Sequence, residues 1–152
     1  MFPWPLILAW ATGLLSQEAV VPPRHVLAAC DTVAAVLAHA GSTSVDRSNG
    51  TVENERMSTA SLGCRLRLVG SRALFEGHEP ADELLRTTLA AKGWVEDWDY
   101  GADGPDGTAF GFRHDGVLCL FRAMWDGGDD SDPTYVPSDR YELLAGCTEG
   151  RE

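Results

Sequence analysis

Apolar residues recur along this chain with two different periods. In V-L-A-A-C-D-T-V-A-A-V-L-A-H-A (26–40), Val26, Cys30, Val33 and Leu37 fall four, three and four residues apart. That is one stripe of a helix, so the spacing predicts a helix over residues 24–40 with Cys30 on its buried side and Gly41 at its end. In C-R-L-R-L-V-G (64–70) the period is two, with Cys64, Leu66 and Leu68 alternating with Arg65 and Arg67. A half-buried strand follows from that alternation. A second helix is expected over 80–92. Pro80 suits its first turn, Asp82 and Glu83 favour the positive end of its dipole, Leu85 and Leu89 mark its buried side, and Gly93 closes it. The apolar runs at 108–113 and 117–125 flank Asp115-Gly116, a tight-turn pair, and predict a hairpin. Y-E-L-L-A-G-C predicts a last strand over 140–147.

The tract 41–63 is polar and without a clear period. It reads as a long loop tied at both ends by a cysteine pair, or as a loop that hides a short strand. It also contains a glycosylation sequon at Asn49-Gly50-Thr51. The order helix, strand, helix and three strands predicts an α+β domain, with two helices packed on one face of a mainly antiparallel sheet of about four strands.

The first 16 residues contain no charged side chain, and their apolar run from Leu6 to Leu15 has the length of a signal-peptide core. Residues 1–16 are therefore expected to be a signal peptide, with cleavage as late as residue 19 the other possibility. Residues 17–23 then form a leader and 24–152 a single domain, secreted or periplasmic, with no stable membrane insertion after cleavage. The cysteines agree with an oxidising compartment. There are four, none in a C-x-x-C pair. An even number in a small exported chain predicts two disulfides. Cys30 on the helix stripe and Cys64 on the apolar strand face predict one bridge, which leaves Cys119 and Cys147 for the other.

Charge narrows the function. The chain carries a net −11, from 12 Lys+Arg and 23 Asp+Glu. Such a balance excludes the usual nucleic-acid binder, whose affinity comes from cations on phosphates. The stretch from residue 95 onward holds 14 acids against four bases, so it carries −10 of the −11. Two acidic clusters bracket the predicted hairpin: Asp99, Asp103 and Asp106 before it, and Asp126, Asp129, Asp130 and Asp132 after it. The hairpin would bring them to one edge of the sheet. Three readings stay open there. Asp, Gly, Pro and Ser make turns, with Asp side chains bonding nearby amides. Calcium takes six to eight oxygens and tolerates loose geometry, although the EF-hand spacing fails, with Phe110 standing where the bidentate Glu belongs. A basic protein partner would also be drawn to such a field, with Trp98, Tyr100, Trp125 and Tyr135 as its aromatic contacts.

Paired aspartates could in principle serve a hydrolase, but the chain has no G-x-S-x-G, no H-E-x-x-H and no P-loop, and its four histidines are scattered. The expectation is a small exported, non-catalytic binding or structural protein whose acidic edge meets a basic partner. The alternatives are a calcium-stabilised module and, less favoured, an aspartate hydrolase.

Overall fold

The structure is a computed structural model and describes residues 20–40, 44–72 and 80–150. The expected signal peptide lies outside these residues. Two helices, α1 (Arg24–His39) and α2 (Ala81–Ala91), accompany a seven-stranded antiparallel sheet. Its strands are β1 (Val45–Asn54), β2 (Thr59–Ser71), β3 (Val95–Glu96), β4 (Ala102–Gly104), β5 (Gly107–His114), β6 (Val117–Trp125) and β7 (Arg140–Glu149). The spatial order is β1-β2-β7-β6-β5-β3, and β4 also pairs with β5. Among the described residues, no helix is long and apolar enough to cross a membrane.

The helices and the central hairpin stand within a residue or two of their expected places. Asp115 and Gly116 both have positive φ, 46° and 73°, as a two-residue turn between twisted strands requires. The sheet has seven strands where about four were expected. The two short strands β3 and β4 share one flank of β5, separated by a single 3-10 turn at Trp98–Tyr100. The larger correction is the tract 41–63. Its described residues, 44–63, form β1 and the start of β2, paired over ten residues from Val45↔Leu68 to Asn54↔Thr59, so the strand offered as the alternative to a loop is present and is long. β1 has no apolar period because it is the outermost strand: only Val52 and Asn54 of its ten residues are buried. Backbone pairing alone identifies it, and polarity on both faces hides it from pattern reading.

One core lies between the sheet and the helices. Alternate residues of the central strands, among them Leu66, Leu68, Leu143, Phe121, Phe110 and Phe112, join Val26, Val33 and Leu37 of α1 and Leu85 and Leu89 of α2. Burying each large side chain is worth about 1.5–3 kcal/mol. A buried polar contact crosses this layer: Tyr141 donates to Asp82 in the first turn of α2 at 2.9 Å, and burial together with the Asp82 charge pushes the phenol well above its ordinary range.

The cysteines pair as expected, Cys30 with Cys64 and Cys119 with Cys147, at Cα separations of 6.5 and 4.0 Å. The register adds an unexpected relation. Cys147 stands opposite Cys119 on one side and Cys64 on the other. Three cysteines thus form one row across β2, β7 and β6, with Cys30 of α1 completing the set on the core side. Each bridge is expected to stabilise by about 2–4 kcal/mol.

Candidate functional site

Of the first acidic cluster, Asp106 meets the loop that carries the second, at the end of the hairpin away from its turn. The loop after β6 returns to the turn before β5: Trp125 N–H donates to the Asp106 carbonyl at 3.0 Å, its indole N–H to the Pro105 carbonyl at 2.8 Å, and Gly127 N–H to the Asp106 carboxylate at 2.9 Å. Within the loop the aspartates bond their own neighbourhood. Asp126 accepts from Gly128 N–H, Ser138 N–H and the Tyr135 hydroxyl. Asp129 accepts from the Ser131 amide and hydroxyl, and Asp132 from those of Thr134. These are side-chain turns of the kind Asp forms in irregular segments.

The same bonds hold the carboxyls ionised. The Tyr135 hydroxyl, followed by the Ser138 and Gly128 amides, lowers Asp126 below the usual carboxylate range. The Ser131 hydroxyl and amide lower Asp129, and those of Thr134 lower Asp132. Reciprocally, the Asp126 carboxylate raises the Tyr135 phenol. A general acid needs the opposite shift, so these residues are poorly suited to the hydrolase alternative.

The other predicted residues divide. Asp103 accepts from the Thr108 hydroxyl at 2.5 Å. Asp130 is exposed and has no side-chain partner among the described residues. Asp99 is turned away from the cluster and pairs with Arg56 at 3.2 Å. Among the described residues, no group of three or more His, Cys, Asp or Glu side chains is gathered as a metal ion requires. Of the four aromatics, Trp98 and Tyr135 are open, at 76% and 42% exposure. Trp125 stacks on Tyr141, and Tyr100 accepts a hydrogen bond from buried Asn54 at 2.9 Å. Those two serve the fold.

A second site was not foreseen. The β1–β2 hairpin curls over the sheet face opposite the helices and roofs a cleft of about 830 Å³. Val52 packs where side chains at Gly63 and Gly146 would stand: an added Cβ would lie 2.9 and 2.8 Å from its methyls. Tyr100 lies over Gly111 in the same way, at 3.0 Å. The Asn54–Tyr100 bond and the Arg56–Asp99 pair latch the hairpin tip to the 3-10 turn.

Two register rows form the floor. One runs Ser48, Arg65, Gly146, Leu120, Gly111; the next runs Asp46, Arg67, Leu144, Arg122, Ala109. Leu120 and Leu144 therefore sit among Arg65, Arg67 and Arg122. Arg67 pairs with Glu142 at 2.6 Å and Arg122 with Glu55 at 3.3 Å. The Arg67 and Arg140 guanidinium groups hold Glu142 below its usual range. Among the described residues, Arg65 has no ion-pair or hydrogen-bond partner. The C-R-L-R-L alternation does put Arg65 and Arg67 on the polar face. The hairpin above them, read as a loop, is what concealed the cleft.

No family model matches this chain, and no curated protein or solved structure matches it either.

Proposed function

We propose that this chain is an exported, non-catalytic binding protein whose acidic edge docks on a basic protein surface. The observation that carries this reading is the way the 126–138 segment closes on its own aspartates. Their hydrogen bonds fix the loop and keep the carboxyls charged, while each of Asp129 and Asp132 keeps one carboxylate oxygen that bonds neither its turn amide nor its hydroxyl. A surface organised before contact loses less entropy on binding. Exposed Tyr135 and Val136, in the loop itself, supply apolar contacts beside the charge. Two cysteine bridges and the expected signal peptide fit a secreted or periplasmic site of action.

The test is a titration of the mature chain with lysozyme, as a basic globular probe, at low and at physiological salt. Binding that weakens with salt, and weakens again in a combined Asp129→Asn, Asp130→Asn, Asp132→Asn variant, supports the reading. Binding indifferent to both salt and the variant overturns it.

A further inference from the structure

The cleft under the β1–β2 hairpin joins an apolar floor to one guanidinium, that of Arg65, which has no hydrogen-bond or ion-pair partner among the described residues. We infer that it is a binding site for a small amphiphilic carboxylate, a monoanion with an apolar body. This goes beyond the acidic edge and does not depend on it.

Charge selects the head group. Of the four acids that line the cleft, Asp99 faces Arg56 and Glu55 faces Arg122, while Arg67 is taken by Glu142, which lies outside the lining. Asp46 lies across from Arg67 in the β1–β2 register, and strand alternation turns Glu53 to the face opposite Val52 and Asn54. Arg65 is left over. Its guanidinium lies close to Gly50, where an added Cβ would stand 2.9 Å from Nη2 and 3.3 Å from Cζ. A guanidinium presents a planar fork that matches a carboxylate with two parallel hydrogen bonds. One free fork in a chain of net −11 suits a single negative charge and disfavours a phosphate dianion.

The floor selects the body. Leu144 is 37% exposed in the middle of a sheet, flanked in its row by Arg67 and Arg122. Leu120 is its neighbour in the adjoining row, beside Gly146, and Val52 closes the hairpin side. An aliphatic chain or single ring laid from Arg65 along Gly146 and Leu120 would cover Leu144. The cleft volume falls in the range of small-molecule sites, about 300–1,000 Å³.

The test is calorimetric titration of the mature chain with decanoate, below its self-association concentration, and with the neutral amide of the same chain length. The variants are Arg65→Gln, Leu144→Asp and, as a control that removes the same charge elsewhere, Arg24→Gln. Near-ultraviolet circular dichroism checks that each variant keeps its fold. The expected result is saturable one-to-one binding of decanoate, with the amide weaker by about tenfold or more, as loss of a charge-assisted bidentate contact requires. Arg65→Gln should lose the same factor, Leu144→Asp should abolish binding, and Arg24→Gln should leave it unchanged. Equal affinity for decanoate and its amide, unaltered binding by Arg65→Gln, or no saturable binding of decanoate would each overturn the assignment.

Discussion

The acidic edge and the roofed cleft divide the polar chemistry of this molecule in opposite ways. The edge holds most of the charge and ties part of it into its own turns, with Asp130 and one oxygen each of Asp129 and Asp132 left outward. Asp126 alone accepts from two amides and a phenol. The cleft holds charges that largely cancel, yet among the described residues it keeps one guanidinium without a pair and two leucines partly uncovered. Density of charge is therefore a poor guide to where a small ligand would bind. What matters is which groups the fold has left unsatisfied. A surface such as the edge acts through its field, over a distance, and a site such as the cleft acts through contact.

Several substitutions would sharpen or break that contrast. The largest effect is expected from Gly63→Ala. Its added Cβ would strike the Cys147 carbonyl and press on Val52, so the strand pairing that carries the roof must shift. A loss of about 3 kcal/mol in urea unfolding is expected, with little change in the slope of the transition. Next is the latch. Tyr100→Phe removes the acceptor for buried Asn54 and should cost about 1 kcal/mol, with faster exchange of hairpin amides and no change in the 126–138 loop.

At the edge, Asp126→Asn should leave global unfolding nearly unchanged but expose the Ser138 and Gly128 amides to exchange, because their acceptor is weakened. Acid should do the same to the whole loop. The carboxyls of Asp126, Asp129 and Asp132 are held below the ordinary 3.8 in the folded state. Their stabilising contribution is complete above that value and is lost as pH falls through the lowered folded values. Amide shifts of Ser131, Thr134 and Ser138 should titrate together in that acidic window, while those around the neutral Asn54–Tyr100 contact stay still. The smallest effect is expected from calcium. With no three of these carboxylates gathered around one point among the described residues, millimolar calcium should raise the melting temperature no more than magnesium does.

The sequence made some of this legible and hid the rest for physical reasons. Both helices, the Asp115-Gly116 hairpin and the cysteine pairing rest on period and turn chemistry that are local in the chain. The approach of Asp106 to the Asp126 loop followed from the hairpin alone. The strand β1 stayed hidden because an outermost strand with two polar faces has no period to read, and the cleft stayed hidden with it, since its roof is that strand. The arginine cluster of the cleft has a further disguise. Arg65, Arg67 and Arg122 come from two distant segments, and the net acidity of the chain draws attention away from them.

The direct test of the two-surface account is a pair of titrations of the ¹⁵N-labelled mature chain, followed by amide shifts. Deca-lysine should move the amides of Asp103, Gly104, Asp106 and residues 126–132, and decanoate should move those of Arg65, Leu120, Leu144 and Gly146, with no residue common to both sets. Overlapping footprints, or decanoate shifts centred outside the cleft, would contradict it.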